Sequence, residues 1–503
     1  MLFSNQKRAL STVREMNRPR AIVALLCLPL FLNSSPSHAD VRGPSLLPNQ
    51  LIAAGDNHTC AINTSGQVFC WGASWGGRLG VGESGNQSVP QRVTLPSSAK
   101  SIGTGPGHSC AIVISGLVYC WGENGSGEVA PTSYVDQIPA PVQVPGLSTF
   151  GKSVAIALTR DSTCSLMATG SVVCWGDITG NGLLGGGPYS RQMQILFNHT
   201  SHESVRQIAS GQFHTCVLTN LSKVFCWGAN NMGQLGTGDR ISHDAPTLVS
   251  NTLSNILVIG AGGFHSCLSS ASGKVQCWGN TMGDGEWQIG DGFTPTQMPG
   301  LKSGTQFTQI AVGYGHTCIL TASGDAQCWG YGGAGQLGSG RNARSATPVK
   351  VFMDSTAVKL SSVSAGGFHT CGLLSSGVFR CWGDNEFGQL GTGSFDSANV
   401  PQQVLTVKRI LPPGSPGLRS ISSGVNSVTI QVLVPKVNGG SRILGYQYSI
   451  DTGKTWSALG VLSAKNQAVV KGLKRHARFK LMVRAFNTVG KGAASQAIWV
   501  ATK

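Results

Sequence analysis

Cys216-Val217-Leu218-Thr219-Asn220-Leu221-Ser222-Lys223-Val224-Phe225-Cys226-Trp227-Gly228 decides the fold, because the chain writes a version of this stretch seven times. Cysteines pair off as Cys60 with Cys70, Cys110 with Cys120, Cys164 with Cys174, Cys216 with Cys226, Cys267 with Cys277, Cys318 with Cys328 and Cys371 with Cys381, and a Trp-Gly follows the second member each time. Successive first cysteines lie 50, 54, 52, 51, 51 and 53 residues apart. A period of that size signals a solenoid, a propeller or an array.

Within one unit, nine residues separate the cysteines, with turn residues such as Thr64-Ser65-Gly66 and Ala322-Ser323-Gly324 in the middle and apolar segments on both sides. That pattern is a hairpin whose strands set two cysteines opposite each other, at a Cβ separation close to disulfide range. A zinc reading, with His58 beside Cys60 and Cys70, lacks the close cysteine spacing and fourth ligand that such sites use. The expectation is therefore seven local disulfides and no metal. Each closes a loop of about ten residues and contributes somewhat under ~3 kcal/mol by the loop-entropy model.

Disulfides require an oxidising compartment, and the N-terminus fits one. Lys7, Arg8, Arg14, Arg18 and Arg20 precede an apolar run from Ala21 to Leu32, followed by Ser37-His38-Ala39. This reads as a signal peptide over residues 1–39, which would remove Cys27, the one unpaired cysteine. No second apolar run reaches transmembrane length, so the mature chain is expected to have no membrane span and to be secreted, periplasmic or held at the cell surface. The formal net charge of +16 is unevenly placed. Residues 1–39 carry +4, residues 40–411 are neutral, and residues 412–503 carry thirteen basic side chains against Asp451 alone.

Each repeat reads as four short strands. A Pro-x-x-Val segment (Pro90 to Val93, Pro246 to Val249, Pro348 to Val351) is taken as the first, an apolar-Gly segment such as Ile208-Ala209-Ser210-Gly211 as the second, and the cysteine hairpin as the last two. Four strands per fifty residues make one propeller blade. The last Pro-x-x-Val copy, Pro401 to Val404, follows the seventh hairpin, so residues 400–407 are expected to complete the first blade and close the ring.

Gly-Gln-Leu-Gly loops follow the Trp-Gly at Gly233 to Gly236, Gly335 to Gly338 and Gly388 to Gly391. With them, residues from about 50 to 407 resemble the regulator of chromosome condensation repeat family. The resemblance implies a seven-bladed β-propeller of four-stranded blades over residues 40–411, and it extends to exported bacterial members, which include a protein inhibitor of β-lactamases. The third unit has Asp161-Ser162 where others have His, and the second has Glu128-Val129-Ala130 in place of Gln-Leu-Gly.

The recurring His58, His108, His214, His265, His316 and His369 are read as structural, bonding the backbone of their own blade, and the recurring tryptophans as buried packing. No nucleophile elbow, phosphate-binding loop or paired metal motif is present, so no catalytic residue or cofactor is expected. Binding is sought where the blades differ, in loops on one face. The candidates are Trp75, Arg78, Tyr134, Tyr189, Trp287, Tyr331 and Phe387, with Arg191 and Phe395 beside them, since aromatic and Arg side chains dominate binding hot spots.

Residues 412–418 have linker composition. Residues 419–503 lack cysteine, alternate as strands and resemble a fibronectin type III β-sandwich, with Asn438-Gly439-Gly440 and Val483-Arg484-Ala485-Phe486-Asn487 in the family's order. The family's core Trp on the second strand is missing, and Trp456 is the side chain large enough to compensate. Period-two alternation turns Phe479, Leu481 and Val483 inward and throws Arg478, Lys480 and Arg484 onto one outer face. That face reads as either a solubilising surface or a dock for an anionic polymer such as envelope polysaccharide, lipid headgroups or nucleic acid. Interleaved stacking aromatics look absent, which argues against sequence-specific nucleic-acid recognition.

The chain is thus read as an all-β, non-enzymatic, exported binding protein. Its propeller recognises a protein or glycan, and its basic sandwich tethers it to an anionic envelope. The alternative implied by the family name is guanine-nucleotide exchange on a small GTPase.

Overall fold

The computed structural model describes residues 50–503 apart from 83–84, 178–191, 251–252, 281–291, 356, 409–411, 438–442 and 488–489. The expected signal peptide, Tyr189, Arg191 and Trp287 lie outside the described residues.

Every cysteine hairpin forms, with the two cysteines of each pair directly opposed, as Cys216 faces Cys226 in the fourth repeat. All seven expected pairs are bridged: Cys60 to Cys70, Cys110 to Cys120, Cys164 to Cys174, Cys216 to Cys226, Cys267 to Cys277, Cys318 to Cys328 and Cys371 to Cys381. Their Cα–Cα separations are 4.0–4.1 Å. A separation that short belongs to the closer type of antiparallel pair. The hairpin turn needs a left-handed residue, supplied by Gly66 at φ 76° and Gly324 at φ 80°. The fourth repeat puts Ser222 there at φ 59° and bears the steric cost of its Cβ.

Among the described residues, seven four-stranded antiparallel sheets follow one another along the chain. The first contains Ile52–Ala54, His58–Ile62, Val68–Gly72 and Gln87–Val93. The seventh contains Leu360–Ala365, His369–Leu374, Val378–Gly383 and Ala398–Lys408. The Pro-x-x-Val segment is therefore the fourth strand of its own blade, not the first, and each blade is continuous in sequence.

This corrects the expected ring closure, because Ala398–Lys408 pairs with Val378–Gly383 of the seventh blade, and the first blade is completed by its own Gln87–Val93. The cause is local. Asn385, three residues beyond Trp382, accepts from Leu390 N with its Oδ1 and donates through Nδ2 to Ser394 O and Asp396 O. Those bonds fold the loop back, so the chain returns beside the strand it has just left. The ring closes instead by side-to-side packing. Ile52, Ala61 and Trp71 share an apolar cluster with Cys371, Leu373, Phe379 and Leu390, and Ala54 N donates to Ser364 Oγ at 3.0 Å.

Each seam is packed in this way, with a tryptophan from one blade entering the cluster of its neighbour, as Trp382 does among Cys318, Leu337 and Val351. Such a ring buries on the order of 200 Å², about 5 kcal/mol of transfer free energy. The first strands of all seven blades line a central channel holding a cavity of about 230 Å³.

The C-terminal residues form two further antiparallel sheets. One is Gly417–Ser423, Ser427–Leu433 and Gln467–Lys471. The other is built on Arg478–Phe486, flanked by Gly445–Ser449, Lys491–Ala494 and Ile498–Ala501. Both contribute to one apolar cluster including Val428, Ile430, Val432, Leu481, Val483 and Ala485. Trp456 does not enter that cluster, which is filled mostly by medium-sized aliphatic side chains.

Candidate functional site

The recurring histidines explain how the blades are held before any ligand is considered. His58 Nε2 lies 2.8 Å from Ser109 Oγ of the next blade, His108 Nε2 2.7 Å from Thr163 Oγ1, His316 Nε2 2.8 Å from Thr370 Oγ1, and His369 Nε2 2.8 Å from Thr59 Oγ1 across the ring closure. His214 and His265 reach Ser266 and Thr317 in the same way. The expectation that each histidine serves its own blade is therefore corrected: each ties its blade to the next.

The hydroxyl in turn donates to a backbone carbonyl, Ser109 to Arg78 O, Thr163 to Glu128 O and Thr59 to Gln389 O. The same carbonyls accept the indole N–H of Trp121, Trp175 and Trp71. Because the hydroxyl proton is committed to the carbonyl, the imidazole must donate through Nε2, leaving Nδ1 bare. Nδ1 of His58, His108, His214, His316 and His369 is buried without a hydrogen-bond partner. Burial lowers the pKa of His108, His214, His316 and His369 to about 3 and of His265 to about 4. These imidazoles are neutral structural donors.

Arg78 and Glu128 stand where other blades have the Gln of Gln-Leu-Gly. Glu128 Oε2 accepts Ser126 N, as Gln389 Oε1 accepts Phe387 N, and burial pushes its carboxyl up to about 7. Arg78, taken from the sequence as a candidate binding residue in a variable loop, is buried. It is 3% exposed, pairs with Glu123 at 2.7 Å, and donates to Trp75 O and Pro106 O.

The turns between first and second strands and the loops between third and fourth strands emerge on the same side of the ring, since strands alternate in direction within each blade. On this face, blades four to seven carry an arc of aromatic rings. Phe213 and Phe264 are 5.6 Å apart between centroids, Phe264 and Tyr314 5.2 Å, Tyr314 and Phe368 5.5 Å, and Phe368 and Tyr331 5.8 Å. Blades one to three carry charge instead, namely Asp56, the Arg78–Glu123 pair, Arg160 and Asp161.

The two halves meet where Gln212 Nε2 donates to Asp56 Oδ2 at 3.0 Å, linking the fourth blade to the first across the channel mouth. Burial pushes the Asp56 carboxyl up to about 6, against the pull of Arg78 and Arg160. The phenol of Tyr314 is raised by burial and by Asp56.

Of the residues singled out from sequence, Tyr331 belongs to the arc. Trp75 and Phe387 stack edge to face at 4.7 Å where blades one and seven meet, with the Arg78 guanidinium 4.6 Å from the Trp75 ring centroid. Tyr134 stands out at 83% exposure, and Phe395 is exposed. The sequence reading missed Phe213, Phe264, Tyr314, Phe368 and Asp56. Their signal was the one or two positions between the repeat glycine and the histidine, which vary from blade to blade while their neighbours do not.

In the C-terminal unit, Arg478 and Lys480 are exposed and Arg484 half-buried, on the outer side of the strand whose Leu481 and Val483 are buried. Two aromatics share that side, correcting the expectation that none would. Trp499, paired with Lys480 across the ladder, has Arg478 at 5.5 Å and Lys480 at 5.4 Å from its ring centroid. Arg484 lies 4.1 Å from the ring of Trp456. Among the described residues, no group of three or more His, Cys, Asp or Glu is placed to hold a metal ion, and no helix is long and apolar enough to cross a membrane.

The sequence profile of the RCC1-like domain matches residues 36–361, and that of the regulator of chromosome condensation (RCC1) repeat matches residues 360–389 and 380–428. The chain is 28% identical over 386 residues to the ultraviolet-B receptor UVR8 of Arabidopsis thaliana, spanning 75% of this chain and 85% of the receptor. It is 36% identical over 200 residues to the probable E3 ubiquitin-protein ligase HERC4 of Mus musculus, a match covering 39% of this chain and only 19% of the ligase. Among solved structures, yeast RCC1 (Prp20) bound to Kap60 superposes with a TM-score of 0.61 at 21% identity, covering 75% of this chain and 91% of the other. Human WBSCR16 superposes at 0.59 and 23% identity, covering 68% and 94%. Those two likenesses concern the fold.

Proposed function

Since the chain belongs to the RCC1-like domain family, we propose that it is a binding protein, not an enzyme, which recognises a protein or glycan through the aromatic-and-charged face of its propeller. The observation that carries this reading is the arc Phe213, Phe264, Tyr314, Phe368 and Tyr331 set against Asp56 and Arg160. Aromatic anchors beside oriented charge are the composition of binding hot spots. One relative is by name a receptor, and one structural neighbour was solved bound to another protein.

The protein acts after export, secreted, in the periplasm or at the cell surface. Seven bridged cysteine pairs support this placement, since disulfides of that number persist in oxidising compartments. The C-terminal unit is a fibronectin type III-like sandwich that tethers the molecule to an anionic envelope.

The test is crosslinked capture from the host's envelope fraction with the intact protein and with the double variant Tyr314→Ala/Phe368→Ala. Loss of the captured species at unchanged folding supports the face. Equal capture removes it. Nucleotide release from a panel of small GTPases, stimulated by the intact protein, would replace recognition by the exchange activity that the family name implies.

A further inference from the structure

The C-terminal strand Arg478–Phe486 carries a cation–aromatic strip, and we propose that it is a binding site for a linear acidic polysaccharide, one bearing carboxylates or sulfates along its chain. This deepens the tethering role given above and rests on it.

Charge is the first argument. Residues 412–503 hold thirteen basic side chains and one acidic one, and that acid is already satisfied. Asp451 accepts from Ser449 Oγ at 2.6 Å, from Thr455 N at 2.9 Å and from Thr455 Oγ1 at 2.5 Å. Asp451 bridges through the backbone to Lys480, so one carboxylate stands against the three cations of the strip, and an external oxyanion is the complement that the excess lacks.

Geometry is the second. Arg478 and Lys480 sit against Trp499 near one end of the strand, and Arg484 sits against Trp456 near the other. Arg484 is also fixed by its Nε donating to Gln447 Oε1 at 3.0 Å, and Trp456 by its indole N–H donating to Gly453 O at 2.9 Å. Four residues of strand separate Lys480 from Arg484, roughly 13 Å at the usual rise. One small anion cannot bridge that span, whereas an extended polymer can.

The third argument separates ligand classes. Single-stranded nucleic acid gains much of its affinity by stacking bases on free aromatic faces. Here the guanidiniums of Arg478 and Arg484 and the ammonium of Lys480 already lie over ring faces, so the rings orient cations. A guanidinium held over a ring still offers N–H groups at its edge, which match carboxylate or sulfate two at a time. The strip presents cations along a chain, with its rings already engaged by those cations.

Binding of the full chain to immobilised polygalacturonate and to dextran sulfate, measured at low salt and then across a salt series, tests this. The expected result is retention lost with rising salt. Arg478→Gln/Lys480→Gln/Arg484→Gln weakens it at least about tenfold, and Trp456→Leu weakens it several-fold by releasing Arg484. The control variant Lys436→Gln/Lys465→Gln/Lys503→Gln removes the same charge elsewhere in the unit and is expected to bind nearly as well as the parent. Equal weakening by the control overturns the strip in favour of diffuse charge. Tighter binding to a single-stranded oligonucleotide or to vesicles of anionic phospholipid overturns the polysaccharide assignment. Capture through the propeller face, measured on the same variants, stays intact in either case, so failure here is distinguishable from failure of the recognition role.

Discussion

Six seams of the ring carry the histidine clasp and the seam between the third and fourth blades does not. At that seam Ser162 stands in the histidine position and turns back to Thr159 Oγ1 of its own blade at 2.7 Å. Thr215, the hydroxyl that would have received the clasp, bonds Ser210 instead, also within its own blade. A small cavity lined by Thr159, Asp161, Ser162, Gln212 and Thr215 occupies the space. Most clasped seams bury an imidazole with a bare Nδ1 and gain a bond to the neighbour. The unclasped seam forgoes both, and relies on apolar packing of Ala157, Val205, Val217 and Trp227 and on Arg160 N donating to Gln212 O at 2.8 Å. In a closed ring each blade packs chiefly on its two neighbours. One seam can lose its histidine clasp while the other six keep the ring shut.

Acid should break the comparison most severely. The folded-state pKa values of the seam histidines lie below the unfolded value, so the unfolded chain takes up protons first as pH falls. The stability these histidines contribute is complete above pH 6.5 and drains away as pH drops toward 3 or 4. At pH 5 each has lost about 2 kcal/mol by linkage, on the order of 10 kcal/mol for the ring. Asp56 and Glu128 work in the opposite sense. With folded values raised to about 6 and about 7, they return about 4 kcal/mol over the same interval. The net expectation is a marked fall in the melting temperature of the propeller between pH 7 and pH 5, measured by calorimetry. A flat profile would mean that the imidazoles do not sit as described.

A pair of single substitutions sharpens the contrast at the next scale. His316→Ala removes a clasp and leaves Thr370 without its donor, at a cost of about 2–3 kcal/mol. Ser162→Ala at the unclasped seam costs less than about 1 kcal/mol. Denaturant midpoints of the two variants decide it, and equal losses would show that the clasp contributes nothing beyond packing. The smallest expected effect is a gain. Ser162→His places an imidazole toward Thr215, and a seventh clasp should stabilise the ring by up to about 1 kcal/mol at pH 7. The same variant should steepen the loss on acidification, since it adds one more imidazole that must stay neutral.

Much was legible in the repeat. The cysteine hairpins, the four strands per blade, the buried tryptophans and the outward throw of Arg478, Lys480 and Arg484 all follow from local periodicity, and local periodicity is what side-chain alternation and turn residues encode. Arg78 shows the limit. As an arginine in a variable loop it reads as a surface contact, yet it occupies the position of Gln234, Gln336 and Gln389, and its carbonyl serves Ser109 and Trp121 of the next blade. Trp456 and Trp499 show the same limit in the C-terminal sheets. They lie far from Arg478 to Arg484 along the chain and meet those cations only when strands pair.

By itself the sequence determined the unit of construction, its number and its staples, because each is a contact between residues about ten positions apart. The tertiary structure decided how the units join: which hydroxyl each histidine reaches and which rings converge at the channel mouth. The histidine clasps span from about fifty to more than three hundred residues, as from Ser109 to His58 and from Thr59 to His369. No local period records a partner at that distance. It is set only when the ring closes and the seams pack.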